Sequence, residues 1–236
     1  IMAIKLDILA FAAHPDDVEL SASGTLLHHI TLGKKVGIID LTRGELGTRG
    51  SAELRDIEAE KSSEILGLHV RENLGMADGF FENNKENQLK IIEMIRKYRP
   101  NLVLANAMSD RHIDHDRAAE LLHNACFLSG LSKIVTGDLS AWRPKQVLHY
   151  IQDYYVQPTI VVDITPYFSK KIEAIMAFSS QFYNPENKEP ETPISGEKFL
   201  NFIEGRSREM GRFIGVEFGE GFISKTPLQI KDLSDL

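Results

Sequence analysis

One cysteine stands among the 236 residues, so no disulfide can close within the chain and a reducing compartment is expected. That residue, Cys126, lies in the helical apolar pattern Asn124-Ala125-Cys126-Phe127 and reads as a small buried hydrophobe rather than a nucleophile. A basic run is also missing. Lysine and arginine number 27 against 34 acidic residues, and the net charge of −7 is spread along the chain. This argues against nucleic acid as a partner, which needs phosphate-neutralising side chains on one face. No apolar stretch approaches the roughly 20 residues that span a bilayer. The chain enters an apolar strand almost at once, without the apolar core of a signal peptide, so a cytoplasmic protein with no membrane partner is expected. Internal repeats are absent. No G-x-G-x-x-G follows the first apolar run, which removes a dinucleotide fingerprint.

At 42% hydrophobic and 26% charged residues, the chain can bury a full core. Apolar runs at 6–12, 36–41, 70–74 and 102–106 read as strands, the third of them weakly. Helical patterns at 19–32, 53–66, 88–98 and 117–129 alternate with them. Such alternation with short connections predicts an α/β fold: a Rossmann-like, doubly wound, mainly parallel sheet with helices on both faces. Beyond residue 130 the pattern loosens into strands at 147–151 and 160–164, helices at 167–178 and 199–213, and a strand or loop at 215–223. We expect one domain over 1–236. Its Rossmann-like half, 1–130, carries the motifs, and 131–236 completes the sheet edge and walls the substrate crevice.

Two polar clusters follow apolar runs: Ala13-His14-Pro15-Asp16-Asp17 and His112-Ile113-Asp114-His115. In the strand order 3-2-1-4 the first and fourth strands are neighbours where the winding reverses, so both clusters flank one crevice. His14, Asp17 and His115 can supply the three ligands of a catalytic zinc, whose fourth position is left to water. Zinc lowers the pKa of that water, and Asp16 remains as its general base. Of His112 and His115, one can bind metal while the other protonates a leaving group. Asp114 can fix a histidine tautomer, and Asp116 can cap the next helix.

The plainer reading is that Asp16, Asp17 and Asp116 are helix caps, but capping leaves the histidines at converging strand ends unexplained. Arg43, Arg49 and Arg55 flank the glycine-rich loop 42–51 beside the crevice, as anion readers or as solvated charges. His28, His29, His69, His123 and His149 have no carboxylate cluster nearby in sequence and read as structural.

The paired motifs resemble the zinc-dependent N-deacetylases of the LmbE or PIG-L type, which act on N-acetylglucosamine conjugates. The resemblance runs through GELGTRGSAELR (44–55), SDRHIDH (109–115), SSQF (179–182) and GVEFGEGF (215–222). It is closest to the bacillithiol-pathway enzymes that deacetylate N-acetylglucosaminyl-malate and to related chitooligosaccharide deacetylases. It implies one Zn2+ per chain on His14, Asp17 and His115, with Asp16 as base and His112 as acid oriented by Asp114. Arg55 matches an active-site arginine, and Arg49, Arg55 and Arg111 become candidates for the malate carboxylates. Where some relatives carry a tyrosine near the tetrahedral intermediate, Phe199 stands here and cannot donate a hydrogen bond. The resemblance also implies a trimer or hexamer, for which Tyr154, Tyr155, Phe182 and Phe218 are interface or core residues. Two other classes compete. A metallo-phosphoesterase would need a second metal, and a sugar- or nucleotide-binding module would hold a closed, four-ligand zinc that one cysteine makes hard to build.

Overall fold

Strand β1 (Ile8–Ala12) is buried along its whole length and feeds two cores at once. Leu9 and Phe11 point to one face of the sheet, among Ile91, Ile95, Leu121 and Leu122. Ile8, Ala10 and Ala12 point to the other, among Val18, Ala22 and Leu26. Side chains alternate across a strand, so an unbroken apolar run is what a two-sided parallel strand requires. The computed structural model, which describes residues 4–229 and 232, builds the rest around that strand.

The elements run β1, α1 (Asp17–Thr31), β2 (Val36–Thr42), α2 (Ala52–Leu66), β3 (Val70–Met76), α3 (Lys85–Tyr98), β4 (Leu102–Ala105) and α4 (Ile113–Leu128). Then come β5 (Gln146–Tyr150), β6 (Ile160–Asp163), α5 (Phe168–Met176), α6 (Glu197–Ile214) and β7 (Gly219–Ser224). Among the described residues they form one seven-stranded sheet in the order β3-β2-β1-β4-β5-β7-β6. The first five strands of that order are parallel, and β7 enters antiparallel between β5 and β6. The expected 3-2-1-4 order is therefore present, with the second half extending the β4 side.

In the first half of the chain, three helices start two or more residues earlier than their apolar patterns suggest. α3 begins at Lys85, where the Asn84 side chain accepts the Asn87 amide at 3.0 Å. Its polar first turn carries no hydrophobic signal. α4 begins at Ile113 rather than residue 117, with His112 as its N-cap. α1 begins at Asp17, and Asp16 occupies its N-cap position without making a side-chain cap bond. The capping reading thus fails for Asp16. Asp116 likewise spends its Oδ1 on the Asp110 amide, 2.7 Å away.

Phe182 and Phe218 are core residues, whereas Tyr154 and Tyr155 are exposed. Phe199 stacks on Phe182 with ring centroids 5.9 Å apart. Cys126 is buried, and burial pushes its thiol up to about 12, in keeping with a packing role. Among the described residues no helix is long and apolar enough to cross a membrane.

Gly24 sits within α1 where a Cβ would lie 2.8 Å from the Cβ and Cγ2 of Ile164. Helix propensity alone favours alanine there by about 1 kcal/mol, but overpacking a filled core costs roughly 1–3 kcal/mol. Gly24→Ala is expected to lower stability, as a smaller midpoint in urea with the slope unchanged. A higher midpoint would mean that Ile164 gives way freely.

Candidate metal and catalytic site

β1 and β4 pair with Ile8 opposite Leu102, so both leave the sheet side by side. The residue directly after β4, Asn106, fastens the two ends together. Its Oδ1 accepts the Ala13 amide at 3.1 Å, and its Nδ2 donates to Asp17 Oδ2 at 3.0 Å. Gln152, just beyond β5, donates to Asp17 Oδ1 at 3.1 Å. Asp17, buried, is the centre of this hub. His115 Nε2 lies 3.0 Å from its Oδ1 and His14 Nδ1 3.8 Å from its Oδ2.

Carboxylates back both imidazoles. The His115 Nδ1 to Asp110 Oδ2 distance is 2.5 Å. His14 Nε2 lies 3.0 Å from Asp78 Oδ1 and 3.2 Å from Asp114 Oδ2. Burial opposes protonation of His14, yet the Asp114 and Asp78 carboxylates carry its pKa up to about 10. Burial likewise opposes protonation of His115, and Asp17 and Asp110 raise it to about 9. Burial works against the Asp17 carboxylate, but the two imidazoles hold it well below the usual carboxylate range. The pocket is therefore built to hold positive charge between His14, Asp17 and His115.

His112 completes the ring cluster. Its ring centroid is 4.6 Å from that of His14 and 5.3 Å from that of His115. Ring nitrogens of His14, His112 and His115 lie within 4.8 Å of one another, as do ligand atoms of His14, Asp78 and Asp114. Burial and the charges of His14 and His115 lower the His112 pKa. Asp114 does not use its carboxylate on His112. Instead Oδ2 accepts from Gly79 N at 2.8 Å and meets His14, while Oδ1 accepts from Arg117 at 3.1 Å.

Asp16 sits beside this hub but makes no side-chain hydrogen bond to it. Its φ of 125° places a non-glycine residue in the left-handed region, a strain of about 1–3 kcal/mol that persists where surrounding contacts enforce it. The turn splits two consecutive carboxylates, sending Asp17 to the imidazoles and Asp16 to Arg55. Arg55 Nη1 donates to Asp16 Oδ2 at 3.3 Å and to Pro15 O at 3.0 Å. Burial lifts the Asp16 pKa to about 7, against the pull of the Arg55 guanidinium.

The other arginines differ in their engagement. Arg111 is paired with Asp153 and Arg43 with Asp56 and Glu53 at the surface. Arg49 is 5% exposed, its Nε meets no hydrogen-bond partner, and among the described residues it forms no ion pair. Four residues of the site were not singled out in the sequence: Asn106, Asp110, Gln152 and Asp78. Each follows a strand of the parallel sheet, and that position was the available signal.

The donor set suits a divalent cation of borderline softness: two imidazoles and a carboxylate, with carboxylates on the outer ring nitrogens. The family model "PIG-L: GlcNAc-PI de-N-acetylase" matches residues 9–126, which covers every element from β1 through most of α4. The chain is 31% identical over 186 residues to the diacetylchitobiose deacetylase of Thermococcus kodakarensis, covering 74% of this chain and 70% of that protein. It is 25% identical over 188 residues to a probable N-acetyl-alpha-D-glucosaminyl L-malate deacetylase 2 of Bacillus anthracis, covering 74% of this chain and 81% of that protein. The crystal structure of a conserved protein from Thermus thermophilus superposes with a TM-score of 0.86 at 34% identity, covering 97% of this chain and 98% of that one.

Proposed function

The chain belongs to the PIG-L de-N-acetylase family, and from that premise we propose that it hydrolyses the acetamide of an N-acetylglucosamine conjugate with one zinc ion per chain on His14, Asp17 and His115. The observation that carries this reading is the division of labour between the adjacent carboxylates Asp16 and Asp17. One faces two imidazoles and the other an arginine. Zinc in this pocket supplies Lewis acidity toward the acetyl carbonyl and toward water.

The remaining steps belong to the protein. Asp16 takes the proton from the attacking water, held in place by the Arg55 guanidinium. The water oxygen bonds to the acetyl carbon, and the C–N bond breaks as His112 protonates the departing nitrogen. Acetate and a free sugar amine result. General acid–base groups of this kind contribute about 10²–10⁴-fold each.

The group attached to the sugar is the finer part of the proposal. A buried guanidinium nitrogen without an acceptor is costly, so the unmatched Nε of Arg49, which forms no ion pair among the described residues, supports an anionic aglycone such as the malate in the name of the Bacillus anthracis relative. Arg55 and Arg111 are less available, since Asp16 and Asp153 already hold them. An uncharged chitobiose-type substrate is supported by the Thermococcus relative, the more similar of the two. Steady-state kinetics on both glycosides separate these readings. With an anionic aglycone, Arg49→Ala is expected to raise KM for the malate conjugate by about tenfold or more, about 1.4 kcal/mol, and to leave KM for diacetylchitobiose near its wild-type value. Equal effects on both would remove Arg49 as a carboxylate reader.

A further inference from the structure

We propose that Asp78, in the loop after β3, is a positioning residue that fixes the His14 tautomer so that Nδ1 faces the cation; this rests on the metal-dependent reading above. The geometry has three parts. His14 Nε2 lies 3.0 Å from Asp78 Oδ1 and 3.2 Å from Asp114 Oδ2, so both neighbours of that nitrogen are carboxylate oxygens. A carboxylate accepts and does not donate, so Nε2 carries a hydrogen and Nδ1 is the nitrogen left to exchange its proton for a cation. Nδ1 is the nitrogen that faces Asp17, 3.8 Å away.

Asp78 is itself held from two sides. Its Oδ2 accepts the Leu46 amide at 2.9 Å, and its own amide donates to Glu45 Oε1 at 2.9 Å. The loop after β2 therefore sets the position of a carboxylate in the loop after β3, which in turn sets a ring on the loop after β1. The other carboxylate has more claims on it. Asp114 also receives Gly79 N at 2.8 Å and the Arg117 guanidinium at 3.1 Å. Asp78 is accordingly the closer and less shared acceptor for His14. These donors also argue that Asp78 and Asp114 receive N–H groups instead of forming a second cation site.

The test is zinc affinity, measured by competition with a chromophoric chelator for wild type, Asp78→Asn and His115→Ala, together with melting of the metal-free proteins. Asparagine keeps the size of the side chain but can turn its NH2 toward Nε2 and move the hydrogen to Nδ1. The expected result is a loss of zinc affinity of about 10–100-fold for Asp78→Asn, with metal-free melting close to wild type. Zinc affinity equal to wild type would overturn the proposal. So would a drop in metal-free melting large enough to account for the loss, which would assign Asp78 to folding. If wild type binds zinc no better than His115→Ala, the metal site itself is wrong, and the proposed function fails before the role of Asp78 does.

Discussion

Asp16→Asn is expected to lower kcat/KM for acetate release by about 10²–10⁴-fold, the range of a lost general base, while zinc binding and melting stay close to wild type. The reason lies in the separation of two neighbouring side chains. Asp17 is bonded to Asn106, Gln152 and His115, and none of those contacts involves Asp16. Among the described residues the Asp16 side chain bonds to Arg55 alone, and asparagine can still accept that hydrogen bond through its Oδ1. The substitution therefore removes a proton acceptor without dismantling the hub. The loss should fall on kcat with little change in KM, since the interaction is made in the transition state. A variant retaining a tenth or more of wild-type activity would assign the base to another residue. A variant that loses zinc would place Asp16 among the ligands instead.

The second large effect concerns stability. Arg71→Met is expected to destabilise the fold by about 3–5 kcal/mol, because it strips the partner from buried carboxylates. Arg71, on β3, donates to Asp40 through Nε at 2.8 Å and Nη2 at 3.0 Å, and to Glu19 through Nη1 at 2.6 Å. Asp40 and Glu19 are 2% and 0% exposed, so neither can turn to solvent for compensation. For a chain of this size the loss corresponds to a fall in melting temperature of roughly 6–20 °C. It also carries a pH signature. Burial already raises the Asp40 pKa against the pull of Arg71, and removing that guanidinium raises it further. A carboxylate with a raised folded-state pKa binds more protons folded than unfolded, so stability recovers as pH falls toward that pKa. The deficit of Arg71→Met should accordingly be larger at pH 8 than at pH 5.5. Equal deficits at both would mean that packing on Phe178, 5.8 Å from the guanidinium, outweighs the charges.

What could be read in advance followed from strong periodicities. The runs ending at Ala12 and Ala105 are buried on both faces, and unbroken apolar sequence is the signature of such strands. Adjacency of the two His/Asp clusters followed from the order of winding, because β1 and β4 must be neighbours at the reversal. The helical start at Ile113 was hidden because its first turn is made of site residues, Asp114 and His115, instead of apolar ones. Asp78 was hidden for a different reason. β3 is only half-buried, with intermediate and exposed positions through most of its length, so its end was poorly marked and Met76-Ala77-Asp78-Gly79 resembled an ordinary turn. Arg55 was recognised as a site residue, but its structural partner is Asp16, a relationship 39 positions apart that no spacing rule conveys.

Metal requirement and substrate class meet in one measurement: acetate and amine release from N-acetylglucosaminyl-malate and from diacetylchitobiose by the zinc-loaded protein, by the chelated protein, and after zinc is restored. Equimolar acetate and amine are expected from at least one of the two, with loss of turnover on chelation and recovery with zinc. Full turnover by the chelated, metal-free protein, or none from either substrate by a protein carrying stoichiometric zinc, would contradict this expectation.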